Sequence, residues 1–347
     1  MNIQLLTHKI PVGISQCLMG EAVRYNAGHK HSKICTRLLG RCFDYVALCP
    51  EVAIGLGVPR DPIRLVKSDS SPGAEVRVIG VVDKTLDVTE PLRDYADSVV
   101  PALERVRGYI FMQNSPSCGL KGVRRYLPNG HGIDSSGIGV FAARLRERFP
   151  HLPMEEAGRL NNSEIRENFL TRVFAYDAWF RYVEGEEYVE GGEEGERQQH
   201  PEDVHAGAPR AARVIEFYTA YKYLLLAHHQ GLTRALGQFV ADSRALPPRE
   251  FADGVRGRIM EILAHMASRK DRTNALMHLQ GHLKQYLDKG EKAELTRLIE
   301  EYRQGLKPVS AVLTLLRHYL PRSPHQFIHN QLLLAAEPAE LGLCDFH

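Results

Sequence analysis

Three cysteines hold the positions from which this chain could do chemistry. Cys17 follows the apolar run Pro11–Ser15, and Cys49 follows the run Tyr45–Leu48. Cys118 closes the stretch Gln113-Asn114-Ser115-Pro116-Ser117-Cys118 that comes after Tyr109–Met112. They lie far apart in sequence, so only a fold can gather them. Three thiolates at one place suit an iron–sulfur cluster or another soft metal. Held by three cysteines, a four-iron cluster keeps one iron without a protein ligand, an open Lewis-acid position for a soft atom such as sulfur. No Cys-x-x-Cys pair occurs, which argues against a zinc ribbon. The alternative is three buried, inert core cysteines. The proline, serines and glycine around Cys49 and Cys118 are not core-like and weigh against it.

Other chemistry-bearing residues stand beside these thiols. Glu51, two residues after Cys49, is placed to act as a general acid or base, or to orient water. Its simpler reading is a negative charge at a helix N-terminus. Ser115 and Ser117 flank Pro116 and can donate hydrogen bonds to a substrate or a cluster sulfide, or merely cap a turn. The loops Asn26-Ala27-Gly28 and Gly119-Leu120-Lys121-Gly122 match neither a P-loop nor a dinucleotide fingerprint. Cys35 and Cys42 are seven apart on a predicted helix and read as core, while Cys344 takes no role.

The elements that must position these residues alternate in the first half. Strands are expected at 11–15, 45–48, 63–66, 76–82 and 109–112, with helices at 32–41, 89–105 and 137–149 between or after them. Strands spaced by helices predict an α/β domain with a mostly parallel sheet, in which ligands bind beyond the carboxyl ends of the strands. Three strand ends would then deliver three thiols to one edge. After residue 160 the pattern becomes helical, with expected helices at 164–183, 209–229, 231–244, 248–267, 271–288 and 291–304 and one or two more before the end. The domains are placed at 1–158 and 159–347, the second all-α. Within it the Glu-, Gly- and Gln-rich segment 183–207 reads as an acidic linker or loop.

The composition is that of a globular protein. Of 347 residues a quarter are charged and 44% hydrophobic, so a wholly disordered, collagenous or coiled-coil chain is excluded. No apolar run is long enough for a membrane span, and residues 1–11 lack the features of a secretion signal. A cytoplasmic protein is therefore expected, and in that compartment six cysteines are not a disulfide framework. The net charge of +2 conceals a mildly basic character on either side of the acidic strip, which suits a polyanionic partner.

The motifs are more specific than their spacing. Ser15-Gln16-Cys17-Leu18-Met19-Gly20 with Val23-Arg24-Tyr25-Asn26, then Cys49-Pro50-Glu51, then Asn114-Ser115-Pro116-Ser117-Cys118-Gly119, resemble the three motifs of the thiouracil desulfidase (TudS) family over about residues 9–150. The resemblance implies a 4Fe–4S cluster held by Cys17, Cys49 and Cys118, and replacement of a substrate C=S by C=O. It implies catalytic roles for Glu51 and for Ser115 or Ser117, with Asn26 and Asn114 as substrate-binding candidates. Asn26 departs from the Asp found in many relatives.

The second half resembles the helical domain often fused to this family, as in the tRNA 2-thiouracil desulfidases (RudS). The matching segments are 217–228, 274–284 and Glu301-Tyr302-Arg303-Gln304-Gly305 with Pro308. Tyr221 stands where relatives commonly have His. The implied partner is tRNA carrying 2-thiouridine, with Lys222, His278, His282 and Lys284 as candidate contacts. His278 and His282, four apart, share a helix face, and Arg269, Lys270 and Arg272 could join them in a phosphate-binding surface. No His-Glu-x-x-His pattern or third ligand supports a zinc site there. Tyr218 and Tyr221 either stack on bases or belong to the core. The sequence reading is thus a tRNA 2-thiouridine desulfidase. Its rivals are a desulfidase of free thiolated bases whose helical domain serves homo-oligomerisation, and a non-catalytic iron–sulfur sensor that binds nucleic acid.

Overall fold

The structure, a computed structural model, describes residues 9–71, 73–185, 209–243 and 245–334. It divides into two compact units, Leu6–Phe169 and a second that takes up the chain from Leu170. The expected acidic linker falls almost wholly outside the described residues, as does Cys344.

The first unit is α/β. Its strands are β1 (Ile10–Ser15), β2 (Phe43–Leu48), β3 (Ile63–Lys67), β4 (Val76–Gly80), β5 (Tyr109–Phe111), β6 (Val123–Tyr126), β7 (Gly132–Gly137) and β8 (Met154–Glu156). One sheet has the order β2-β1-β5-β8 and is parallel throughout. Both faces of such a sheet must be covered, which explains why Ile10, Val12, Ile14, Tyr109, Ile110 and Phe111 are all fully buried. Gly13 is required where β1 meets β5, because a Cβ there would fall 2.2 Å from the Tyr109 ring. Its helices are α1 (Pro50–Ala53), α2 (Thr89–Ser98), α3 (Val100–Leu103) and α4 (Val140–Arg148), and α5 (Ser163–Tyr182) begins in this unit and continues into the second.

A second sheet, absent from the sequence reading, has the order β4-β3-β6-β7 and is mixed. β3 pairs antiparallel with β4 and parallel with β6, while β6 and β7 form an antiparallel hairpin. Its apolar face builds a core of Ile63, Leu65, Val78, Val88, Leu92, Val123 and Val140. β6 and β7 escaped prediction because Val-Arg-Arg-Tyr and Gly-Ile-Asp-Ser-Ser-Gly lack the β-branched alternation that marks a strand. The expected helix at 137–149 accordingly begins only at Val140. The helix at 89–105 breaks into two because Pro101 has no N–H to continue it. The stretch 32–41 forms a π turn over Ile34–Leu38 and a 3-10 turn over Leu39–Arg41 rather than one helix. Cys35 and Cys42 are nevertheless buried in the core.

The second unit is helical wherever it is described. From residue 211 to 334 it comprises α6 (Ala211–His228), α7 (Gln230–Asp242), α8 (Pro248–Ala264), α9 (Arg269–Leu283), α10 (Lys289–Arg303), α11 (Val309–Tyr319), α12 (Gln326–His329) and short 3-10 turns. Apolar stripes from α9, α10 and α11 meet in a core that includes Leu276, Leu279, Leu283, Leu295, Ile299, Val312 and Leu316. Asp288 opens α10 with a reciprocal capping box to Glu291, and Ser268 caps α9. No helix among the described residues is long and apolar enough to cross a membrane.

Candidate functional site

β2, β1 and β5 lie side by side and run the same way, so their carboxyl ends open at one edge. Past β1 the chain enters a 3-10 turn, Gln16–Met19, that carries Cys17. Past β2 it reaches Cys49, the N-cap residue of α1, with Glu51 in the first turn. Past β5 it turns at Asn114, whose φ of 60° lies in the left-handed region that asparagine tolerates better than most residues. That bend starts the loop Ser115–Cys118. Cys17, Cys49 and Cys118 thereby line one cavity of about 430 Å³, together with Glu51, Asn114 and Ser115.

The loop bearing Cys118 is fixed by hydrogen bonds and close packing. Ser115 Oγ accepts from the backbone N–H groups of Ser117 (3.2 Å) and Cys118 (3.0 Å). The carbonyls of Pro116 and Ser117 accept from Val140 and Ala142 in the first turn of α4. Gly139, which leads into α4, leaves no room for a side chain: a Cβ would sit 2.4 Å from the Ser117 carbonyl oxygen. On the far side, Glu156 at the end of β8 accepts from the backbone N–H of Leu120 at 2.9 Å. Ser15 Oγ ties β1 to this loop by accepting from Met112 N–H at 3.0 Å.

Glu51, on the cavity wall, is held at both carboxylate oxygens. Arg60 donates to its carboxylate from Nε (3.0 Å) and Nη2 (2.7 Å), a two-point contact. Ser117 Oγ, itself fully buried, donates to the other oxygen at 2.9 Å. Ser115 Oγ stands 3.5 Å from the same oxygen. Arg60 also donates to the carbonyls of Val23 and Gly57 and is 6% exposed. Its role was not read from the sequence. The signal was a lone arginine nine residues after Glu51, indistinguishable from any surface arginine.

The thiols share an electrostatic environment. Burial pushes Cys17 up to about 11, with the neighbouring Cys49 raising it further and Arg24 opposing the rise. Burial raises Cys49 as well. Cys118 is driven well above the ordinary thiol range by burial and then by the charge of Glu51, while a hydrogen bond with Ser15 works the other way. The three are free thiols. Among the described residues, no three His, Cys, Asp or Glu side chains converge closely enough to hold a single metal ion. A four-iron cluster makes a different demand, because each cysteine binds a different iron and the sulfurs stand further apart. Three thiols and no histidine on one cavity wall form a soft donor set, which fits such a cluster.

The remaining expected residues are placed as follows. Asn26 is exposed outside this lining, and its carboxamide accepts from Gly28 N–H at 3.2 Å within a turn. In the helical unit Lys222, His278, His282 and Lys284 are exposed. Tyr223 draws two of them together: its hydroxyl is 2.7 Å from His282 Nε2 and its ring stacks 6.4 Å from that of His278. Lys222 lies 6.0 Å over the Phe327 ring. Of the basic run, Arg269 donates to the Tyr302 carbonyl. Tyr221 is buried and stacked on Phe217 at 4.3 Å, as a core aromatic.

Residues 12–157 match the family model of 2-thiouracil desulfurase, and residues 222–338 match that of a protein family of unknown function, DUF1722. The uncharacterised protein YbgA of Escherichia coli (strain K12) is 33% identical over 138 residues, which are 40% of this chain and 81% of that protein. The chain belongs to the 2-thiouracil desulfurase family, with a DUF1722 region in its second half. The uncharacterised protein YbbK of Bacillus subtilis (strain 168) is 29% identical over 138 residues, 39% of this desulfurase-family chain and 88% of YbbK. Among solved structures, the 4Fe–4S-dependent thiouracil desulfidase TudS is 29% identical, covering 44% of this chain and 94% of that one with a TM-score of 0.35. Within the desulfurase-family region, the match takes in Cys17, Cys49, Glu51 and Cys118.

Proposed function

We propose that this chain is a tRNA 2-thiouridine desulfidase, converting the C2 thiocarbonyl to a carbonyl with water and releasing sulfide. The observation that carries the reading is the single cavity in which Cys17, Cys49 and Cys118 meet the Glu51–Arg60 pair, in a member of the 2-thiouracil desulfurase family. Cys17, Cys49 and Cys118 would hold a 4Fe–4S cluster, with Glu51, Ser115 and Ser117 as catalytic groups. When bound, that cluster supplies a Lewis-acid iron with affinity for sulfur.

The chain's own residues do the rest. Glu51 takes a proton from the water that adds to C2, or orients that water, because one of its oxygens faces the two serines beside Cys118. Arg60 fixes the carboxylate plane and leaves it little rotational freedom. Ser117 Oγ–H holds the second oxygen, and Ser115 supports the turn that presents Cys118. The reaction balances as C=S plus H₂O giving C=O plus H₂S, with no change of redox state at carbon.

The helical region contributes tRNA recognition through Lys222, His278, His282 and Lys284, with Asn26 and Asn114 as contacts at the catalytic unit. Sequence-specific recognition of RNA favours exposed bases in single-stranded loops, which suits a thiolated anticodon base. The test is mass spectrometry of nucleosides from thiolated tRNA incubated with anaerobically reconstituted protein. Loss of 2-thiouridine with equal gain of uridine supports the reading. Turnover of free 2-thiouracil with intact tRNA would replace it with the free-base reading.

A further inference from the structure

A second cationic feature lies on the small mixed sheet. Leu65 and Arg125 are register partners across β3 and β6, and Arg64 and Arg124 each stand one residue before them. Both arginines turn to the same ring: Arg64 Cζ is 5.2 Å and Arg124 Cζ 5.7 Å from the centroid of Tyr126. The β6–β7 hairpin backs them with glycines. A Cβ on Gly130 would lie 3.5 Å from Arg64 Nη1, and one on Gly132 would lie 3.3 Å from Arg124 Nε.

The nearby carboxylate of Asp134 is occupied by Arg125, at 2.8 and 2.6 Å. Neither Arg64 nor Arg124 forms an ion pair among the described residues, and Arg64 Nε is buried without a hydrogen-bond partner. Two guanidinium groups stacked on one tyrosine, with unused planar donor forks, match the bidentate geometry of phosphate oxygens. Pro62 and Ile63, directly before Arg64, line the cysteine cavity, and Arg64 projects from the opposite face of β3.

We propose that Arg64, Tyr126 and Arg124 form an RNA-backbone clamp on the catalytic unit, gripping phosphates that flank the thiolated nucleotide. This rests on the desulfidase reading and deepens it, since it places part of the RNA grip outside the helical region. Charge and stacking together are the usual means of holding a single strand without reading its sequence.

The test compares the full chain with Arg64→Glu/Arg124→Glu and with Arg64→Lys/Arg124→Lys. Anisotropy of a fluorescent unmodified tRNA reads binding without requiring a loaded cluster. Free 2-thiouracil turnover, which needs no phosphate contact, reads folding and the catalytic centre. The double Glu variant is expected to bind tRNA at least about tenfold more weakly and to lose roughly one to two units of the log K against log salt slope, while free-base turnover stays within about twofold. The Lys variant should recover the salt slope but not the full affinity, because it keeps charge and loses the fork. Undiminished tRNA affinity in the Glu variant, or a wild-type chain that binds no tRNA, overturns the clamp. A wild-type chain that binds tRNA through this pair yet desulfurates nothing would uphold the clamp and sink the catalytic reading.

Discussion

Arg60 and Glu51 form a two-point ion pair, with Nη2 2.7 Å and Nε 3.0 Å from the same carboxylate oxygen, on the wall of the cysteine-lined cavity. Their side chains are 6% and 15% exposed, so the pair is largely withdrawn from water. Removing one partner of such a pair leaves a buried charge uncompensated. Glu51→Gln keeps the shape but cannot accept a proton. It is expected to lower kcat by about 10²–10⁴-fold while iron content stays at the wild-type level. Arg60→Lys retains one charge and loses the fork, and a fall of about tenfold or more in kcat is expected. Both are read by sulfide release from 2-thiouracil alongside an iron assay. Wild-type turnover in Glu51→Gln would remove it from the mechanism.

Gly139 tests the loop rather than the chemistry. A Cβ there meets the Ser117 carbonyl oxygen at 2.4 Å and Cys118 N at 2.8 Å, both backbone atoms that cannot step aside alone. Gly139→Ala should cost about 1–3 kcal/mol of stability and displace Cys118, reducing the iron retained after reconstitution. Urea unfolding and iron analysis check it. Unchanged stability with full iron loading would show the loop to be more yielding than its packing implies.

His228 gives the helical region a pH dependence with a defined sign. It is buried at the end of α6, and its Nδ1–H donates to the His265 carbonyl at 2.7 Å. Burial lowers it to about 4. The unfolded chain, with histidine near 6.5, binds the proton more readily between those values, so stability is complete above about 6.5 and is lost as pH falls toward 4. The contribution is on the order of 3 kcal/mol. Urea midpoints measured from pH 7.5 to 4.5 should drop for wild type and drop less for His228→Gln. Parallel curves for the two proteins would contradict it.

What could be read in advance followed the strength of local patterns. β1, β2 and β5 were legible because Ile10–Ser15, Phe43–Leu48 and Tyr109–Phe111 are short and apolar, and the thiols after them marked the productive edge. The helices from α6 to α10 were legible because their apolar stripes repeat at helical spacing, while those after them were expected without bounds. β7 was not, since Gly132–Gly137 is largely exposed and held in place by its hairpin with β6 rather than by its own side chains. Arg60 was hidden for a different reason. Its value comes from meeting Glu51, Val23 and Gly57 in space, and no sequence period encodes that meeting.

The proposed function rests on Cys17, Cys49 and Cys118 together making one desulfurating centre. Its most direct test measures iron, acid-labile sulfide and sulfide release from 2-thiouracil on anaerobically reconstituted wild type, on Cys17→Ser, Cys49→Ser and Cys118→Ser, and on Cys35→Ser as a buried control. Wild type and Cys35→Ser are expected to hold about four irons and to release one sulfide per uracil steadily, and each of the other three variants to lose both properties. Full iron and wild-type turnover in any of those three, or a wild-type chain that takes up no iron, would contradict it.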